Sequence, residues 1–200
     1  MSAGAVAAFV IAYLVGSIDF AVLVARAKGA DIYDLGSGNP GAANVLRNLG
    51  WKAAAPVMLG DLAKGAVAAM LGVVLGGSEA AGWGAGFAAV FGHCFPIWHR
   101  FRGGKGVATA FGVVLWLEPI LGFGLIAMWG LSLAVTRVSS IGSLVAIGAM
   151  VPGLALFESP GSSYAWAVAI AVLVVVRHRE NIESLLHGRE RSIRPYTQRR

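Results

Sequence analysis

The sequence predicts an all-α integral membrane protein: a compact seven-transmembrane-helix bundle with its N-terminus outside and its C-terminus cytoplasmic. Polar cytoplasmic loops and a short C-terminal helix are expected to form its site. Three observations predict this. Of 200 residues, 57% are hydrophobic and only 13% charged, with a mean hydropathy of +0.72, far from the roughly quarter-charged composition of soluble domains. The apolar residues gather in seven segments, and about 20 such residues cross a hydrocarbon core of about 30 Å. Outside the segments, the cations are confined to alternate connections and to the C-terminal tail.

The segments run over 3–25, 53–76, 80–98, 107–117, 120–136, 141–157 and 164–176. No basic region precedes the first, since Arg26 and Lys28 follow it, so it reads as a span and not as a cleavable signal. It contains one acid, Asp19, for which the sequence offers no partner. The second span contains Asp61 and Lys64, spaced i,i+3 and so able to pair on one helix face; ionisable groups at that depth pair or line a polar cavity. The third has small residues four apart at Gly82 and Gly86 and at Ala85 and Ala89, which read as helix-packing seams. Its single cysteine, Cys94, reads as packing. The fourth is long enough only if its helix begins back in GGKG, residues 103–106, which places those glycines at a helix N-terminus at the membrane surface.

Arg26, Lys28, Arg47 and Lys52 lie between spans one and two; Arg100, Arg102 and Lys105 between three and four; Arg137 between five and six; the other arginines follow span seven. The remaining connections contain Glu79, Glu118 and Glu158 and no lysine or arginine. The positive-inside rule then makes the basic side cytoplasmic. The net charge of +6 belongs to that membrane face and calls for no nucleic acid. With no repeat or soluble segment, residues 1–200 read as one domain. Beyond span seven, a helical plot puts Ile182, Leu185 and Leu186 on one face with His178, and Asn181 at its edge. Glu180 and Glu183 point away. The apolar face is expected to dock on the bundle.

Three polar fragments fall on the basic side: GSGNPGAAN from Gly36 to Asn44 with Arg47 beyond it, GGKG from Gly103 to Gly106, and HRENI from His178 to Ile182. Successive backbone N–H groups in glycine-rich turns, especially ahead of a helix, form a concave donor array for an anion. Residues 42–49 are expected to form a short interfacial helix with Asn44 and Arg47 on one face. Lys105 lies between Gly104 and Gly106, so its ammonium can approach a ligand held by backbone amides. His93 and His99 read as helix-end and headgroup-level side chains, and Arg100 and Arg102 as markers of the basic face. The sequence has no HExxH, no cysteine cluster and no GxSxG, and so points to neither metal nor serine-hydrolase chemistry.

Together the fragments resemble the bacterial acyl-phosphate:glycerol-3-phosphate acyltransferase family. The family's three cytoplasmic motifs are similar to GSGNPGAAN with Arg47, to GHCFPIWHRFRGGKGVAT from Gly92 to Thr109, and to HRENI, in that order. The stretch Asp61–Gly65 resembles its recurrent DxxKG, and Ser139 to Ser143 its serine-bearing stretch. Two positions depart: Ala43 stands where the family commonly has threonine, and Asp19 where it commonly has proline. The resemblance implies a multi-pass enzyme of the bacterial inner membrane with its active site on the cytoplasmic side. It implies acyl transfer from acyl phosphate to the 1-hydroxyl of glycerol 3-phosphate, giving lysophosphatidic acid without metal or cofactor, as the first step of phospholipid synthesis. A site for two phosphates near the membrane face needs a one-sided set of cations and amide donors, which the residues supply independently.

On this reading Ser37, Lys105, His178 and Asn181 serve catalysis. Gly36, Gly38, Asn39, Gly41, Asn44, Arg47, Gly103, Gly104 and Ser143 bind phosphate or substrate. The HxxxxD pair of soluble-type glycerolipid acyltransferases is absent, His178 being followed five residues on by Glu183. Deprotonation of the attacking hydroxyl then falls to a substrate phosphate or to His178. The competing class is a permease for an organophosphate, for which Asp61 and Lys64 would form a midplane site.

Overall fold

The computed structural model describes residues 2–156 and 161–193, which form ten α-helices, two 3-10 turns and no strand. The apolar segments become α1 (Ala3–Gly16) with α2 (Phe20–Ala27), α4 (Trp51–Gly76), α5 (Glu79–Cys94), α6 (Val107–Leu117), α7 (Pro119–Thr136), α8 (Ser139–Ala155) and α9 (Gly161–Arg177). Two further helices are α3 (Ala42–Leu49) and α10 (Arg179–Leu186). Three helical stretches are long and apolar enough to cross a membrane by themselves: 3–27, Trp51–Gly76 and Pro119–Thr136. The chain end of the sixth segment, with Glu158, lies outside the described residues.

The first span is not one helix. It breaks at Ser17–Asp19, and Asp19 restarts it as the N-cap of α2, its Oδ1 accepting from the N–H of Ala21 at 3.0 Å and of Val22 at 3.1 Å. The acid without a partner in the sequence is therefore a cap. The third segment ends at Cys94, earlier than expected, because Pro96 disfavours helical backbone at Phe95 and opens a 3-10 turn. Pro119 starts α7 at its first turn, where no N–H is needed.

The helices meet at small residues. A methyl group at Gly65 would strike the Thr109 carbonyl and one at Gly112 the Leu62 carbonyl, so α4 and α6 touch backbone to backbone. Gly16 and Gly92 do the same for α1 and α5, where Ala8, Ala12, Ala85, Ala88 and Ala89 form an all-alanine seam. Larger side chains, among them Trp83, Phe111, Leu125, Ile147, Met150 and Ile170, fill the space between α5 and α9. The outer face is as apolar as the core, with Ile120, Leu131 and Val135 more than 70% exposed. An outward apolar belt is what lipid requires and water forbids.

One end of the bundle is irregular. There the α2–α3 connection lies on the α5–α6 connection, the Tyr33 hydroxyl donating to the Arg102 carbonyl at 2.7 Å under the Arg102 guanidinium. The chain after α10 turns at Gly188 and returns, the Ile193 N–H donating to the Arg137 carbonyl at 2.7 Å. At the opposite end the helices close with ordinary caps, and Glu79 accepts from Trp83 and Ser163.

Candidate active site

The first fragment is a loop that glycine alone can trace. Gly36 sits at φ +55°, and a side chain there would collide with the amides of Asn44 and Asn48. Helix α3 forms over the residues expected of it and brings Asn44 and Arg47 to one face. The two then divide their work. Asn44 is buried and spent on the loop: its Oδ1 accepts from the Ser37 N–H at 3.2 Å, and its Nδ2 donates to the Leu35 carbonyl at 2.9 Å. Arg47 is left to the cavity.

The second fragment becomes the lead into α6, with Gly106 at φ +84° as its N-cap. Arg177, from the end of α9, grips this loop, donating from Nε to the Gly104 carbonyl at 3.0 Å and from Nη2 to the Gly103 carbonyl at 2.8 Å while lying over the Phe95 ring. On the other side the Gly104 N–H donates to the His93 carbonyl at 3.0 Å. The N–H groups of the first turn of α6, which have no partner within the helix, follow directly on Lys105 in the chain.

The third fragment departs from the helical plot. His178 is the N-cap of α10 and is buried, and Asn181, Ile182 and Leu185 are half-buried, but Leu186 at the end of the apolar face is 80% exposed. Glu180 does not point away; it lines the same polar cavity as Arg47. His178 Nδ1 lies 2.7 Å from the Val174 carbonyl, so Nδ1 has the proton and Nε2 is the open acceptor. Burial holds this imidazole down at about 4, against the carbonyl contact that favours the charged form. It is therefore neutral at neutral pH.

These pieces enclose a polar cavity of about 320 Å³ lined by Gly36, Ser37, Asn39, Asn44, Arg47, Lys105, Ser143, His178 and Asn181. Gly38, Gly41, Gly103 and Gly104 lie outside its wall and shape the loops behind it; Gly41 is the N-cap of α3. Ser37 Oγ accepts from the Asn39 N–H at 3.4 Å, and Ser143 Oγ donates back to the Ser139 carbonyl at 2.9 Å. The Lys105 ammonium donates to Asn181 Oδ1. Burial lowers the Lys105 pKa, partly offset by the carboxylates of Glu190 and Glu180. Burial, then Arg191, presses in the same direction on Arg47. An anion in the cavity would relieve both.

Sequence reasoning missed Ser140, Arg177 and Glu190. Glu190 Oε1 accepts from Asn181 Nδ2 at 2.6 Å and from Ser140 Oγ at 2.8 Å, tying the returning tail to α10 and α8. Arg177 was disguised as one more cation on the basic side. Nothing in the local pattern marked Glu190.

A second cavity, of about 410 Å³, opens beside the first and is mostly apolar, with Leu46, Met58, Leu62, Phe111, Ile126 and Leu133 in its walls. The two share Asn39, Ala43, Lys105, Ser139, Ser143 and His178. Among the described residues no group of histidine, cysteine and carboxylate side chains could hold a metal.

Residues 6–188 match the family described as glycerol-3-phosphate acyltransferase. The chain belongs to that family. The acyltransferase is 45% identical over 194 residues to the glycerol-3-phosphate acyltransferase of Neisseria meningitidis serogroup C, covering 94% of this chain and 96% of that one. It is 46% identical over 186 residues to that of Pseudomonas syringae pv. tomato, covering 90% and 93%. Its fold is similar to the crystal structure of PlsY (YgiH), an integral membrane glycerol 3-phosphate acyltransferase, in a glycerol 3-phosphate form, with a TM-score of 0.90 and 38% identity over 94% of each chain. The lysophosphatidic acid form of that protein gives a TM-score of 0.87. These likenesses favour an acyltransferase over the organophosphate permease.

Proposed function

We propose that the enzyme transfers an acyl group from acyl phosphate to the 1-hydroxyl of glycerol 3-phosphate, releasing lysophosphatidic acid and phosphate. The observation that carries this reading is the shared wall of the two cavities. A donor with an anionic head and a long chain needs a polar chamber and an apolar one that meet at the scissile bond, and Lys105, Ser139, Ser143 and His178 stand where they meet. The relative crystallised in glycerol 3-phosphate and lysophosphatidic acid forms supports the acceptor and the product.

In this mechanism Lys105, Ser37 and the glycine-loop amides hold one phosphate, while Arg47 and Asn39 hold the other anion or the glycerol. The acyl chain lies in the apolar cavity. The 1-hydroxyl oxygen attacks the acyl carbonyl carbon, the bond from that carbon to the phosphate oxygen breaks, and the hydroxyl proton ends on the departing phosphate. Phosphate leaves readily, so no strong general acid is needed. His178 Nε2, neutral and open, accepts from the attacking hydroxyl and aligns it, and Asn181 fixes its neighbour Lys105. On this reading the chain crosses the bacterial inner membrane seven times, with its N-terminus outside and this site at the cytoplasmic face, a topology that the one-sided cations support.

Purified protein is given glycerol 3-phosphate with acyl phosphate, acyl-CoA or acylated carrier protein in separate reactions. Lysophosphatidic acid from acyl phosphate alone is expected. Product from acyl-CoA at a comparable rate would overturn the donor assignment.

A further inference from the structure

Asp61, Lys64 and His93 form a buried cluster just behind the glycine loop, and the mechanism above does not use them. Their exposures are 3%, 4% and 6%. Lys64 Nζ lies 2.8 Å from Asp61 Oδ1, 2.9 Å from His93 Nδ1 and 2.7 Å from the Ile18 carbonyl, and His93 Nδ1 lies 3.3 Å from the same Asp61 oxygen. The second ring nitrogen, Nε2, faces the loop. That nitrogen lies against Gly104 so closely that any side chain at 104 would overlap it. The His93 carbonyl meanwhile accepts the Gly104 N–H at 3.0 Å. His93 is thus a two-point seat for the second glycine of GGKG, and its ring is locked from behind by Lys64.

Stability alone does not account for such a cluster. Taking a carboxylate and an ammonium out of water costs several kcal/mol per ion, and well-packed apolar residues in their place are often neutral or stabilising. The pair does satisfy the Ile18 carbonyl, left free where span one breaks, but a neutral donor would serve there. The cluster also reaches the site, since Asp61 and His93 line the apolar cavity together with Lys105.

We propose that Asp61, Lys64 and His93 are positioning residues for the phosphate loop. Asp61 fixes the Lys64 ammonium, Lys64 fixes the His93 ring, and His93 sets the plane of Gly104 and with it the place of the Lys105 ammonium and the amides ahead of α6. The inference rests on the reading that this loop grips a substrate phosphate. It predicts that the cluster governs the affinity for one phosphorylated substrate, whichever the loop holds, and leaves the other nearly untouched.

The test is the paired variant Asp61→Leu/Lys64→Met, which removes both charges and strands neither, with His93→Asn beside it. Asparagine keeps an acceptor for Lys64 near the Nδ1 position but removes the wall against Gly104. Thermal unfolding in detergent and the KM for glycerol 3-phosphate and for acyl phosphate are measured for each. Both variants are expected to melt within a few degrees of the parent, to raise one KM tenfold or more and to change the other less than threefold. Combined with Gly104→Ala, the losses should fall well short of multiplying, because all act through one loop position. Both KM values within threefold of the parent in a folded variant, or fully multiplicative losses, would overturn the positioning role. If the paired variant does not fold, His93→Asn decides by the same criteria. Failure of the parent to use acyl phosphate would instead sink the proposed reaction, and direct binding of inorganic phosphate to parent and variants would still test the loop.

Discussion

Replacing Gly104 by alanine tests how finely the phosphate loop is set. Backbone conformation does not demand glycine there, since Gly104 is not among the positive-φ residues. The demand is steric. The added methyl would overlap His93 Nε2 and come within 2.8 Å of the Pro40 carbonyl oxygen and 3.0 Å of His93 Cε1, against a comfortable separation of about 3.5–4 Å. His93 cannot swing aside without leaving Lys64, and the Pro40 carbonyl is backbone, so the loop itself must shift by about 1 Å. A displacement of that size costs on the order of 100-fold in rate, or about 2.7 kcal/mol of transition-state stabilisation. The assay is kcat/KM for lysophosphatidic acid formation by detergent-purified protein, beside thermal unfolding. Gly148→Ala is the control, because a methyl there meets nothing within 4 Å. If Gly104→Ala retained kcat/KM within threefold of the parent, the tight seat on His93 could not be what places Lys105.

Two further outcomes follow from the same geometry. The His178 pKa is held at about 4 in the folded protein, below its ordinary 6.5, by burial above all. Its share of stability is therefore complete above pH 6.5 and is lost as the pH falls toward 4, by about 3 kcal/mol. Melting in detergent from pH 7.5 to 4 should show that loss, and His178→Asn should flatten the acid limb; an unaltered limb would refute the assignment. Ala55 lines the apolar cavity, and Ala55→Leu adds three carbons to its wall, room for about as many methylenes at ~0.8 kcal/mol each. Competition among acyl phosphates of different length should show the preferred chain shortened by about two carbons or more, whereas an unchanged profile would remove the acyl chain from this cavity.

What the sequence made legible was the backbone of the site. The glycines announced loops held against something polar and the cations marked the face, but the fourth helix does not begin back in GGKG as its short apolar segment seemed to require: it starts at Val107 with Gly106 as its cap, because Gly106 sits in the left-handed region. The docking of α10 was legible only in part, because a helical plot ranks faces without knowing where the bundle ends: His178 is buried and Ile182 and Leu185 are half-buried, while Leu186 meets no surface. Asn44 shared the right face with Arg47, yet spacing does not tell a side chain that touches substrate from one that holds the loop. Asp19 could have been read: an acid followed at once by a helical apolar run is an N-cap signal even inside a span. Arg177 and Glu190 could not, since each acts on residues more than eight positions away through contacts only the fold creates.

The breaks in regular backbone are also instructive in where they fall. Span one breaks at Ser17–Asp19, α5 gives way to a 3-10 turn at Pro96, α6 starts from a left-handed glycine, and α9 ends at His178, all toward the end that holds the cavities. In lipid an unpaired carbonyl or N–H costs several kcal/mol, so irregular backbone survives only where protein or a wet cavity satisfies it. Here the partners can be named: Asp19 for the N–H groups of Ala21 and Val22, Lys64 for the Ile18 carbonyl, Arg177 for the carbonyls of Gly103 and Gly104. Two of the three are cations, and they reach the loop from opposite sides, Lys64 by way of His93 from within and Arg177 from the end of α9. Lys64 is neutralised by Asp61, so its part is positional, whereas the charge of Arg177 acts on Lys105 directly; the residue that satisfies the carbonyls of the phosphate loop thus also adds to the field that would draw phosphate into it.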